Sequence, residues 1–163
     1  IMISEKIFGA ELIKLGRKIN DYMPHHMVKL ILKALDDNNV PYKDAKITIF
    51  GITYKADVND VRASPARVVI GELVAKGFRV VAYDPYTNET FGALKADSIE
   101  DAAKDSDVLA IVTDHSVFRS INLEKIKRLM RTPIIVDGRR VINPSEAIKI
   151  GFRYYGIGFG KGV

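Results

Sequence analysis

With 163 residues, 47% of them hydrophobic, the chain can bury one good core, or one domain with an appended element. It contains no cysteine, which excludes disulfides, thiolate metal sites and a cysteine nucleophile within these residues. A net charge of +5 suits an anionic partner, but the basic residues form no run and no aromatic-interleaved RNA motif, so nucleic acid is not expected. The opening Ile1-Met-Ile-Ser has no obvious initiator and reads like the inside of a longer protein. No apolar run is long enough to span a membrane, and no signal pattern is present. From about Glu5 to Asp37, apolar residues recur at three- and four-residue intervals, which predicts a helix. Pro24 should kink or split it, with Asn20 or Asp21 near a cap. The turn chemistry of Asp36-Asp-Asn-Asn-Val-Pro41 marks a boundary near residue 40. Beyond it, strands are predicted at 46–52, 78–83, 107–112, 133–136 and 152–157, and helices at 65–76, 98–105, 123–131 and 144–150. This alternation predicts an α/β fold with a doubly wound, mostly parallel sheet of five to six strands.

The most informative stretch is Gly51-Ile-Thr-Tyr-Lys-Ala-Asp-Val-Asn-Asp-Val-Arg-Ala-Ser-Pro65. An apolar run, Ile47 to Phe50, leads to a glycine at a strand end. A loop bearing Lys55, Asp57, Asp60 and Arg62 follows, and Ser64-Pro65 opens a helix. Gly51 lets the backbone turn tightly, the helix start offers free N–H groups, and Lys55 and Arg62 supply positive charge, so the stretch suits an anionic group. Ligands of doubly wound sheets bind beyond the carboxyl ends of the strands. Polar residues gather at further such ends: Asp84-Pro85, Thr113-Asp-His115 and Asp137-Gly-Arg-Arg140.

Gly51 stands alone, without the G-x-G-x-x-G fingerprint, so an ordinary dinucleotide grip by this sheet is not expected. Asp84 stands where a Rossmann acidic residue meets a ribose, and equally where it would start the Asp-Pro turn. An arginine at the position of Arg139 or Arg140 can grip a phosphate or a sugar diol. Surface salt bridging is the alternative, and the first loop as neighbour favours ligand binding. Asp114-His115-Ser116 has the residue types of a hydrolase triad, but consecutive side chains diverge and no G-x-S-x-G elbow exists. Capping and packing are expected of them instead. Asp21 and His25 can share a helix face, but two ligands without a third make no metal site, and none is expected.

The pattern Gly51-x-x-Tyr-Lys-x-Asp-x-x-Asp-x-Arg-x-Ser-Pro65 closely resembles the C-terminal portion of the UDP-glucose/GDP-mannose dehydrogenase family. The resemblance continues through Val81-Ala-Tyr-Asp-Pro85, Asp107-Val-Leu-Ala-Ile-Val-Thr-Asp-His-Ser-Val-Phe118 and Ile135-Val-Asp-Gly-Arg-Arg140. Upstream, Leu15-Gly-Arg-Lys-Ile-Asn-Asp-Tyr-Met-Pro24 resembles the long helix of the family's central domain. The family oxidises the C6 hydroxyl of a nucleotide sugar to a carboxylate with NAD. The resemblance implies a division at residue 40: residues 1–40 as a helical segment of the dimerisation domain, and 41–163 as a Rossmann-like UDP-binding domain. Tyr54 and Lys55 would contact the uridine diphosphate. Arg140, with Arg139, would reach the nucleotide sugar, and Arg62 would touch NAD held mainly by a domain absent from this chain. A cytoplasmic homodimer is also implied, with no membrane partner.

The family's G-x-G-x-x-G and its cysteine nucleophile are absent from these residues, so no catalytic residue is assigned and the chain alone is expected to be inactive. Thr113-Asp-His115 resembles the branch acting on UDP-N-acetylmannosamine, while Gly138-Arg-Arg140 also occurs in enzymes acting on UDP-glucose. A non-catalytic nucleotide-binding or dimerisation module is the competing expectation.

Overall fold

Odd and even positions of each strand face different helices, and this alternation arranges the molecule in three layers. The computed structural model describes residues 11–159. Six strands form one sheet: β1 (Lys46–Phe50), β2 (Arg79–Tyr83), β3 (Leu94–Lys95), β4 (Val108–Ile111), β5 (Ile134–Asp137) and β6 (Arg153–Gly156). All neighbours pair in parallel, in the spatial order β3-β2-β1-β4-β5-β6. The helices are α1 (Glu11–Asp37), α2 (Pro65–Ala75), α3 (Ile99–Ala103), α4 (Leu123–Leu129) and α5 (Pro144–Ile150).

Ile47 and Ile49 of β1, with Val80, Ala82, Val108, Ala110, Ile134 and Val136, pack under α1 and α2. On the other face, Phe50, Val81, Leu109, Ile111 and Ile135 pack under α3, α4 and α5. The expected fold is present, with strand ends within a residue or two. The two-residue β3 escapes prediction because Leu94 and Lys95 are both exposed and carry no periodic signal. It pairs only with β2.

Pro24 neither splits the first helix nor stands near a cap at Asn20 or Asp21; α1 runs through it to Asp37. Pro24 removes one backbone N–H, but Met27, Val28, Ile31, Ala34 and Leu35 beyond it are all buried on the sheet. Burying five such side chains contributes on the order of 8 kcal/mol, against ~3 kcal/mol for an interior proline, so tertiary packing wins. The first residues of that expectation, 5–10, lie outside the described residues.

The register aligns the strand ends. Phe50 lies beside Tyr83 and Ile111, Ile111 beside Asp137, and Asp137 beside Gly156. The loops leaving β1, β2, β4 and β5 therefore start from one level edge, between β1 and β4 where the strand order reverses. The opposite edge is tied by Asp107, whose carboxylate accepts from Arg131, Thr132 and the Lys46 amide.

Candidate functional site

At the carboxyl edge, the β1 loop is shaped by its own backbone. Gly51 has φ 89°, and a Cβ there would lie 2.4 Å from the Thr113 Cβ, so only glycine fits. Its N–H donates to the Tyr83 carbonyl at 3.0 Å. The Tyr54 N–H donates to the Asp60 carbonyl at 2.7 Å, closing the loop on itself. Asp60 then takes the Arg62 side chain on both oxygens, at 2.9 Å each. The hydrogen bonds from the Arg62 side chain and backbone hold the Asp60 carboxyl down at about 2. Ala63 turns left-handed at φ 54°, and the Ser64 hydroxyl caps α2 by accepting from the Ala66 N–H.

Asp84, at the end of β2, is the anchor of this loop. Its Oδ2 accepts from the N–H groups of Ile52 at 2.6 Å and Thr53 at 3.0 Å, and its Oδ1 from Tyr86 at 2.8 Å. Burial pushes its carboxyl up, but the His115 hydrogen bond and those three N–H groups outweigh it and leave it at about 2. The Asp-Pro turn is thus the role the structure shows for Asp84. Enclosed by these donors, its carboxylate is engaged within the protein and not turned to a ribose.

Of the three residues Asp114-His115-Ser116, the first reaches the arginine turn, while the other two both meet Asp57. Asp114 accepts from Arg139. His115 takes the Asp57 N–H on Nδ1 at 2.9 Å and meets Asp84 through Nε2 at 2.9 Å. Ser116 donates through N and Oγ to Asp57 Oδ1, at 3.0 and 3.1 Å, and the Tyr86 hydroxyl adds a third donor at 3.2 Å. The amide of Ser116 is the first reason the Asp57 carboxyl lies below its ordinary range. The expected packing of His115 is present, but the expected capping is not, because its side chain caps no helix. The roles of Asp57, Ser116 and Tyr86 were missed. Asp57 stands in the motif, but nothing in its local spacing reveals a partner fifty-eight or more positions away.

At the end of β5, Asp137 is fully buried and accepts from the Arg139 and Ile142 amides and the Tyr154 hydroxyl. This shapes the turn on which Arg139 and Arg140 stand. Arg140 sits at φ 55° and donates through Nη2 to the Gly158 carbonyl at 2.9 Å. The expected adjacency of the arginine turn to the β1 loop does not hold, because β4 lies between β1 and β5. The β4 loop bridges them instead. Tyr54, Lys55, Arg62, Arg139 and Arg140 are all exposed along this edge. Among the described residues the Lys55 ammonium makes no hydrogen bond, and no group of three His, Asp or Glu is placed to hold a metal. No helix among them is long and apolar enough to cross a membrane.

A parallel sheet ordered β3-β2-β1-β4-β5-β6, with charged loops on its carboxyl edge, defines a Rossmann-like α/β domain. The model of the UDP-glucose/GDP-mannose dehydrogenase family's UDP binding domain matches residues 48–144, and this chain belongs to that family. Over 94% of its length it is 39% identical to the UDP-N-acetyl-D-mannosamine dehydrogenase of Methanococcus aeolicus, covering 35% of that protein. Over 96% it is 38% identical to the UDP-glucose 6-dehydrogenase of Rickettsia conorii, covering 37%. The solved UDP-D-ManNAc dehydrogenase of Pyrococcus horikoshii superposes with a TM-score of 0.83 at 34% identity, over 96% of this chain and 35% of that one. The chain thus spans about a third of the length of these relatives.

Proposed function

We propose that this chain is the UDP-sugar-binding C-terminal part of an NAD-dependent nucleotide-sugar 6-dehydrogenase, with UDP-N-acetylmannosamine as substrate. One observation carries the reading. The carboxylates of Asp57, Asp60, Asp84, Asp114 and Asp137 are all taken up by donors of the protein itself, while the exposed Lys55 ammonium makes no hydrogen bond among the described residues. The edge therefore offers an anion the unengaged Lys55 ammonium at the place where such sheets bind ligands.

In this reading Tyr54 and Lys55 contact the uridine diphosphate, and Arg140 with Arg139 reaches the nucleotide sugar. Arg62, whose side chain is 88% exposed, faces NAD held by another domain. When bound, NAD supplies the hydride acceptor for oxidation at C6. This chain's residues hold the substrate, none is catalytic, and the chain alone reduces no NAD. The N-acetylmannosamine branch is favoured by Thr113-Asp-His115 and by the archaeal relatives named for that sugar. Residues 41–163 are the UDP-binding domain, and residues 1–40 are a helical segment of a central dimerisation domain. A cytoplasmic homodimer is part of the same proposal.

Titration calorimetry with UDP tests it. Weak binding is expected, because pocket walls from other domains also contribute. Lys55→Ala should weaken it by about tenfold, as for one charge-assisted contact. No UDP binding by the folded wild-type chain sinks the reading.

A further inference from the structure

His115 touches the β1 loop on both sides of Tyr54 and Lys55. Its Nδ1 accepts the Asp57 N–H at 2.9 Å, so that nitrogen carries no proton. In the neutral ring the proton is therefore on Nε2, which points at Asp84 Oδ2 at 2.9 Å and at Thr53 Oγ1 at 3.1 Å. Thr53 spends its own hydroxyl hydrogen on the Lys55 carbonyl at 3.0 Å, so it can only accept from the ring. One imidazole thus ties residues 53 and 57 to the end of β2. The ring is fully buried between Tyr86, centroid 4.9 Å away, and Phe118, 5.4 Å away, which fixes its plane.

The loop needs such a tie. Asp57 is a non-glycine residue at φ 58°, a left-handed conformation that aspartate tolerates better than most residues and that surrounding contacts can fix. Its amide is held by His115 and its carboxylate by Ser116 and Tyr86. Tyr54 and Lys55 have exposed side chains and lie inside the clamped segment.

We propose that His115, as the Nε2–H tautomer bridging the Asp57 amide and the Asp84 carboxylate, is the positioning residue that sets Tyr54 and Lys55 for the ligand. This rests on reading the β1 loop as the UDP-binding loop. His115 itself touches no ligand; it acts through the backbone at residues 53 and 57.

The test compares three variants of this chain by UDP calorimetry and by amide hydrogen exchange at Asp57. His115→Phe keeps a buried ring and loses both polar contacts. His115→Asn places an amide oxygen near the Nδ1 position and keeps an acceptor for Asp57. His115→Gln reaches the Nε2 position and keeps a donor for Asp84, without the Asp57 acceptor. His115→Phe is expected to weaken UDP binding by about tenfold and to speed Asp57 exchange by a similar factor, as for loss of a buried hydrogen bond. His115→Asn should recover most of both losses, and His115→Gln should not. In the wild type, nitrogen-15 spectra should show an unprotonated Nδ1 and a protonated Nε2.

A folded His115→Phe that binds UDP as the wild type does, with Asp57 still protected, overturns the proposal. If that variant does not fold, equal behaviour of the Asn and Gln variants overturns it. If the wild type binds no UDP, the functional reading fails by itself, and Asp57 exchange still decides whether His115 holds the loop.

Discussion

Arg139 lies across Asp114, donating to Oδ1 through Nη2 at 2.9 Å and through Nε at 3.2 Å. Burial pushes the Asp114 carboxyl up, but the hydrogen bond and charge of Arg139, with the charge of Arg119, outweigh it and hold it low. The pair joins the loops after β4 and β5. A ligand phosphate that takes Arg139 must displace Asp114, which for a half-exposed pair costs about 1 kcal/mol or less. Asp114→Asn is expected to tighten UDP binding by about two- to fivefold in calorimetry. A weakened affinity would show instead that Asp114 serves to aim Arg139.

Asp84 links loop geometry to stability in acid. Its folded value of about 2 lies below its ordinary 3.8, so the unfolded chain binds the proton more tightly. The stabilisation is therefore full above pH ~4 and is lost as pH falls through ~2, with a size of about 2 kcal/mol. Asp84→Asn should lower Tm at pH 7 by roughly 5–10 °C and flatten the acid limb of the stability curve. An acid limb unchanged in the variant would place that titration elsewhere.

Gly51→Ala is expected to cost at least about 3 kcal/mol, because its Cβ has no place beside Thr113 and its backbone is left-handed. Denaturant unfolding measures this. Full stability would mean that the β1 and β4 loops can part by more than their hydrogen bonds suggest.

Leu12, Leu15, Ile19 and Tyr22 are exposed at alternating three- and four-residue steps along the first half of α1, a seam that fits a second helix. Leu15→Glu with Ile19→Glu should convert a sedimenting dimer to monomer and leave the fold intact, since neither side chain enters the core, with Tm falling only by what association contributed. A wild-type monomer would remove this part of the proposal.

The strands other than β3, the helices after residue 40 and the placement of polar residues at strand ends are legible in the chain because each depends on local pattern. Short apolar runs between amphipathic stretches place β1, β2, β4, β5 and β6, and Ser64-Pro65 announces α2 through capping chemistry. Gly51 before a charged loop marks the site. The split expected at Pro24 is absent because local propensity says nothing of the core that α1 enters beyond it.

Sequence alone determined that this is a mostly parallel α/β domain with polar and charged residues at its carboxyl edge, since period, turn chemistry and charge are properties of neighbours in the chain. Only the tertiary structure decided how the edge is wired: that β4 separates the β1 loop from the arginine turn, that Asp84 anchors a loop, and that His115 grips Asp57. Each of these partners lies 31 or more positions away, and strand order, which no local pattern records, brings them into contact.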